Sequence, residues 1–188
     1  MPDFFEVVRT RRSIRSYQDR PVGEALLKEL VDLAILAPTG MNSQPWAFTV
    51  ITNRQVMAKL NERVKALLLA PALAESLVNE GLRQVLSNPE FSIFYNAPAM
   101  IIITSDPTAP TAMIDCQLAA ENLFLAAHAK GLGTCYVGFL MFGREDDEVR
   151  ELLHLPEGHE LMAAAIVGYP GEKPGPPQRR PAPFEWVR

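Results

Sequence analysis

Two short stretches concentrate the side chains that could do chemistry. Arg9-Thr10-Arg11-Arg12-Ser13-Ile14-Arg15 gathers guanidinium groups around one hydroxyl. Planar arginine forks and a hydroxyl satisfy the oxygens of a phosphate monoester. Pro38-Thr39-Gly40-Met41-Asn42-Ser43-Gln44-Pro45-Trp46 gathers amide side chains in a proline-bounded loop. Asn and Gln each offer a donor and an acceptor, which suits the edge of a flat heterocycle. Taken singly, the first stretch also reads as a solvated basic face, and the second as an ordinary turn. Together they describe a ligand with a phosphate at one end and a heterocycle at the other. If Arg11–Arg15 is extended, Arg11, Ser13 and Arg15 share one face. If it is helical, Arg11 and Arg15 still stack at i,i+4.

Flavin mononucleotide (FMN) carries both features. The chain resembles the FMN-dependent nitroreductase family in these motifs. Arg11, Ser13 and Arg15 match its R-x-S-x-R-like element, and Asn42, Gln44, Pro45 and Trp46 match its N-x-Q-P-W-like loop. Glu121-Asn122-Leu123, the run Gly131-Leu132-Gly133-Thr134-Cys135-Tyr136-Val137-Gly138 and the ending Val167-Gly168-Tyr169-Pro170 also look like family segments. The resemblance therefore runs nearly end to end. Tyr136 departs from it where many members have Trp. Gln178-Arg179-Arg180-Pro181 departs where a Lys or Pro often precedes the Arg.

The resemblance implies a role for each piece. Arg11, Arg12, Ser13 and Arg15 would bind the phosphate and ribityl end, with Arg15 reaching toward the pyrimidine edge. Arg179 or Arg180 would complete the phosphate clamp. The backbone of Val137-Gly138-Phe139 would pass close to the isoalloxazine ring, one N–H facing its N5. Pro38, Thr39, Asn42 and Gln44 would come from the other subunit of a homodimer with shared flavin sites. FMN would accept a hydride from NADH or NADPH and pass two electrons to a small-molecule acceptor such as a nitroaromatic or quinone. Dehalogenation, flavin fragmentation or flavin binding without turnover are the other activities it leaves open. Phe91, Phe94 and Tyr95 are either core or an aromatic wall that sorts substrates. Glu121 and Asn122 read as structural.

These groups need elements to hold them. Asp3 with Glu6 reads as a capping box for a short helix whose buried side is Phe4, Phe5 and Val8. Glu24–Ala37 reads as a helix ended by Pro38, and Ala47–Thr52 as a strand. Arg54–Leu69 and Ala72–Leu86 read as helices around Pro71. Ala99–Thr104 is apolar enough for a central strand. Met113–Lys130 is apolar almost all round, predicting a buried helix stopped by Gly131. A short glycine-punctuated strand over 131–139, a helix Glu145–Leu153 and a central strand Leu161–Val167 follow. The expected fold is α+β: a nitroreductase-like three-layer domain with a central mixed sheet flanked by helices. Residues 1–188 form one domain, with 170–188 a Pro-rich tail extended across a dimer partner.

Bulk properties agree. A chain of 188 residues, 48% hydrophobic and 21% charged, builds one sizeable core. The net charge is −4. Residues 1–20 and 170–188 each carry a surplus of two positive charges, leaving −8 on the body between them. That pattern fits a small anionic ligand held by both ends better than nucleic acid, which needs a basic surface across the domain. No apolar run approaches the ~18 residues of a membrane span, and the start lacks a basic-then-apolar leader. Two distant cysteines, Cys116 and Cys135, suit small buried hydrophobes and a cytoplasmic location. His128, His154 and His159 do not cluster, so no metal and no catalytic triad is expected.

Overall fold

The computed structural model describes residues 3–71 and 78–188. In chain order the elements are α1 (Phe4–Thr10), α2 (Glu24–Ala34), β1 (Trp46–Ile51), α3 (Arg54–Leu69) and α4 (Glu80–Ser87). There follow β2 (Ala99–Ser105), α5 (Ala112–Ala129), β3 (Gly133–Tyr136), α6 (Asp147–Leu152) and β4 (Glu160–Gly168). Two 3-10 turns, Gly40–Asn42 and Gly138–Gly143, punctuate the loops. Of the helix expected over Ala72–Leu86, residues 72–77 lie outside the described residues.

The sheet order is β1-β2-β4-β3, and every pairing is antiparallel. The strands alternate across two cores. Ile101, Ile103, Ala163 and Ala165 face α2 and α5. Met100, Ile102, Ala164 and Ile166 face α3, α4, α6 and the second 3-10 turn. The result is the expected three layers, helices on both sides of one sheet. β2 and β4 are buried along nearly their whole length, as central strands are.

The expected mixed character survives only at one edge, where Ser13 makes an isolated parallel bridge to Thr134. The helix α5 does connect two parallel strands, β2 and β3. They are not neighbours, because β4 inserts between them running the other way.

Two burial expectations change. Val7 is the buried residue of α1, while Phe4, Phe5 and Val8 are 64%, 62% and 49% exposed. A two-turn helix presents only one narrow stripe to its own core. The helix α5 is buried on one side through Cys116, Ala119, Ala120, Leu123 and Ala127, but Met113, Ile114 and Leu118 are exposed. The sheet and α2 cover only that one side. At the ends, α2 stops at Ala34, because Pro38 pushes Ala37 out of helical backbone. The helix α6 starts at Asp147 because Asp146 caps it, accepting the Val149 N–H at 3.1 Å.

Candidate functional site

The arginine segment leaves α1 at Arg11 and runs extended along the edge of β3. The Ile14 N–H donates to the Thr134 carbonyl at 2.9 Å. Alternation then places Arg11, Ser13 and Arg15 on one side, and Arg12 and Ile14 on the other. Ile14 is buried against Gly133, where an added Cβ would come within 2.6 Å of its side chain. Glycine at 133 therefore lets the segment lie flush on the strand.

The start of the tail holds the same segment from outside. Gly171 N–H donates to Ser16 O at 2.8 Å, and Gln18 N–H to Tyr169 O at 2.9 Å. The Arg15 N–H donates to Glu172 Oε1 at 2.6 Å. The Tyr17 hydroxyl donates to Ile14 O at 2.8 Å. Burial pushes that phenol far above its ordinary range, so it stays a protonated donor.

The guanidiniums have different partners. Arg11 Nε lies 3.8 Å from the half-exposed carboxylate of Glu121. Arg12 donates through Nη1 to the carbonyls of Arg9 and Arg11, at 2.8 and 2.7 Å, and through Nε to Gly175 at 3.3 Å. Its charge braces backbone on the far side of the segment. Arg15 lies 6.0 Å from the centroid of the Tyr95 ring, a cation–π contact.

Arg15 and Tyr95 line a cleft of about 580 Å³ with Val137, Gly138, Phe139 and Phe142. That size is ordinary for a small-molecule site. The Gly138 backbone borders it, and a Cβ added there meets nothing within 4 Å. Open space against bare backbone is a place where a flat ring can lie close. Cys135 closes the floor, its thiol pushed up by burial and so held un-ionised.

The aromatic segment divides between core and cleft. Phe94 and Ile93 are each 1% exposed and belong to the core beside α3. Ile93 N–H donates to Asn61 Oδ1 at 2.9 Å, and Lys65 Nζ donates to the carbonyls of Asn88 and Phe91 at 2.7 and 2.8 Å. Two side chains of α3 thus pin the segment. Phe91 is half-buried and edge-on to Tyr95, with 5.9 Å between centroids. Tyr95, at φ +51°, is the aromatic member that reaches the cleft, which Ile93 also borders.

The amide loop sits elsewhere. Gly40 N–H donates to the buried carboxylate of Asp115 at 3.2 Å, and Thr111 Oγ1 donates to the same carboxylate at 2.8 Å. Asp115 was not among the residues singled out from sequence, yet it was visible as the one acid in the first two turns of an apolar helix. Met41, Asn42 and Gln44 take positive φ values of 54°, 55° and 46°. Such left-handed backbone persists only where its surroundings impose it. Gln44 N–H donates to Thr39 Oγ1 at 3.2 Å, and Gln44 Nε2 to Asn42 Oδ1 at 3.3 Å. Pro38, Asn42 and Gln44 are exposed, Thr39 is half-buried, and none of the four lines the cleft of its own chain. Arg179 and Arg180 lie in the exposed tail and make no ion pair or hydrogen bond among the described residues.

No group of His, Cys, Asp or Glu among the described residues could hold a metal ion. His128 Nε2 lies 2.8 Å from Thr10 Oγ1, whose proton goes to Glu6 O at 2.6 Å, so His128 is the donor of that pair. Burial and the charges of Arg11 and Arg12 push the imidazole below its ordinary range. No helix of the described residues is long and apolar enough to cross a membrane.

The "Nitroreductase family" model matches residues 8–169. A candidate NADH dehydrogenase/NAD(P)H nitroreductase of Methanothermobacter thermautotrophicus is 30% identical, over 92% of this chain and 80% of its own length. A 4-nitrobenzoate reductase of Pseudomonas putida is 28% identical, over 90% of this chain and 86% of its own. Among solved structures, a nitroreductase with bound FMN from Bacteroides fragilis superposes with a TM-score of 0.86 at 28% identity, covering all of both chains.

Proposed function

The chain belongs to the nitroreductase family, and from that premise we propose that it is an FMN-dependent oxidoreductase using NADH or NADPH. The observation that carries this reading is the cleft itself. Open space lies against the bare backbone of Gly138, and Arg15 stands at its rim. A flat flavin ring fits the first and the polar edge of that ring fits the second. Arg11 and Ser13 share the Arg15 side of the segment and extend it toward a phosphate. Arg12 would join them only by giving up its bonds to the carbonyls of Arg9, Arg11 and Gly175 and turning to their side, and Arg179 or Arg180 closes the clamp.

Bound FMN supplies two-electron chemistry, taking a hydride and releasing the electrons to an acceptor. The net reaction with a nitroaromatic is ArNO2 + NAD(P)H + H⁺ → ArNO + NAD(P)⁺ + H2O. With a quinone the same two electrons and two protons give the hydroquinone. The protein binds and orients. Tyr95 and Phe139 wall the ring space, and the Val137–Phe139 backbone would turn one N–H to it, from Gly138 or Phe139, since the Val137 N–H is taken by Ala164 O.

The working unit in this reading is a homodimer in the cytoplasm. The exposed apolar residues Met113, Ile114 and Leu118 of α5, with Phe4, Phe5 and Val8 of α1, support it. So do Phe184 and Trp186, which are 79% and 74% exposed on a tail with no core of its own. Asn42 and Gln44 would then complete the partner's cleft. The test is direct: purify the protein, release its ligand by heat, and identify it by chromatography. FMN with acceptor-dependent NAD(P)H oxidation is expected. FAD, or no flavin after reconstitution, overturns the reading; FMN without turnover leaves a binding protein.

A further inference from the structure

We propose that Phe142 is a partition that sets the size of the acceptor, confining it to one ring. The inference rests on the proposed function and adds to it a residue that determines specificity. The 3-10 turn Gly138–Gly143 repeats every three residues, so Phe139 and Phe142 project on the same side, one above the other. Both line the cleft, with Tyr95 also on its wall. Phe142 also lines a neighbouring pocket of about 380 Å³ with Met141, Arg144 and Glu145. One residue therefore borders two spaces.

The backbone beneath that ring is fixed. Val137 N–H donates to Ala164 O at 2.9 Å, Asp146 N–H to Gly143 O at 3.0 Å, and Arg150 Nη1 to Arg144 O at 3.3 Å. Leu140 is fully buried, and a Cβ at Gly143 would come within 3.0 Å of Val149. Phe142 is 41% exposed, and its ring makes no ring–ring contact among the described residues. The turn is thus held while its outermost side chain is the part free to divide or join the two spaces. A one-ring acceptor lies within the cleft and touches the Phe142 ring. A fused two-ring acceptor beside the flavin would reach past this ring toward the second space.

The experiment compares nitrobenzene with 1-nitronaphthalene as acceptors for the FMN-loaded wild type, Phe142→Ala and Phe142→Trp, with flavin content as the check on folding. One aromatic contact corresponds to a change of roughly three- to tenfold. Phe142→Ala should raise the two-ring over one-ring ratio of kcat/KM by that factor, and Phe142→Trp should lower it. An unchanged ratio, or a shift of the same sign in both variants, overturns the partition. Dissociation constants for the same two compounds, read from the perturbed flavin spectrum, should show the same opposite shifts. That measurement judges the partition even if the wild type oxidises no NAD(P)H, an outcome that would sink the proposed activity alone.

Discussion

At the scale of single residues, partners decide what each substitution does. Among the described residues Arg11 meets only a long, half-exposed contact to Glu121, and such a pair holds a guanidinium weakly. It is therefore free to take a stronger acceptor. Arg11→Ala should remove a charge-assisted contact worth roughly 1.5–3 kcal/mol and weaken FMN about 10- to 100-fold. Riboflavin lacks the phosphate and should bind almost as before. Arg15→Ala should weaken both ligands, because Arg15 stands at the ring space. Flavin fluorescence titrations compare the four affinities, and equal losses of both ligands in Arg11→Ala would remove Arg11 from the phosphate site. Asp115 makes a different kind of claim. Asp115→Ala leaves the Gly40 N–H and the Thr111 hydroxyl without their buried acceptor, at a cost of about 1–3 kcal/mol. A lower melting temperature together with weaker FMN binding is expected from thermal unfolding and titration. An unchanged melting temperature would show that the carboxylate does not hold the loop.

At the scale of elements, the boundaries of α3 were legible because a cap and a proline fix them locally, whereas α2 stopped short of Pro38 and the cap of α6 was missed. Asn53 Oδ1 accepts from the Gln55 and Val56 N–H groups, and Pro71 follows the far end, so α3 spans the expected residues. The strand directions were less legible, because β4 enters between β2 and β3 from far along the chain and leaves no local signature. Tyr95 could not be told from Phe94 for a related reason. Tyr95 and Asn96 take left-handed backbone, so neither a helical nor a strand period assigns their faces. The alternation of Arg11, Ser13 and Arg15 was readable once the segment was extended; the turn of Arg12 to backbone carbonyls was not. Asn42→Ala and Gln44→Ala should each change flavin affinity by only about 0.5–1.5 kcal/mol while the fold stays intact. Unchanged affinity and potential in both would return the loop to an ordinary turn. Asp146 caps α6 and is gripped by Arg63 at 3.0 and 2.6 Å. The Arg63 hydrogen bond holds the Asp146 carboxyl below its ordinary value. Its folded pKa is lowered, so its stabilisation is complete above the unfolded value and is lost as pH falls through the folded one. Asp146→Asn keeps an acceptor for the cap but turns the Arg63 ion pair into a neutral hydrogen bond, and should cost up to about 1 kcal/mol near neutral pH. That deficit should shrink on acidification, and an equal deficit at every pH in urea melts would refute the linkage.

At the scale of the whole molecule, the distribution of charge and apolar surface points in one direction. The arginine segment meets the start of the tail, where residues 169–172 bond to residues 15–18. The surplus of two positive charges at each end, against −8 on the body, favours a small anion at that junction. The same chain leaves apolar side chains of α1 and α5 uncovered, and strand β1 keeps one edge of the sheet open. Surface of this kind is the mark of a subunit contact. A stable obligate dimer buries on the order of 2,000 Å² or more in total. Within one chain, the amide loop lies beside Asp115 near the start of α5, while Arg11 lies beside Glu121, six residues or about 9 Å further along that helix. A second copy can bring a loop to a cleft that its own chain leaves open. Sedimentation should therefore give twice the 20.8 kDa of one chain. Leu118→Glu, placing a charge on the uncovered face of α5, should yield monomers that no longer hold FMN. Cys116→Ser, in the buried core of the same helix, supplies the contrast: it should lower stability while leaving the dimer and its flavin in place. A wild-type monomer that retains FMN would refute both the dimer and the shared site, and a Leu118→Glu monomer that retains it would refute the shared site alone.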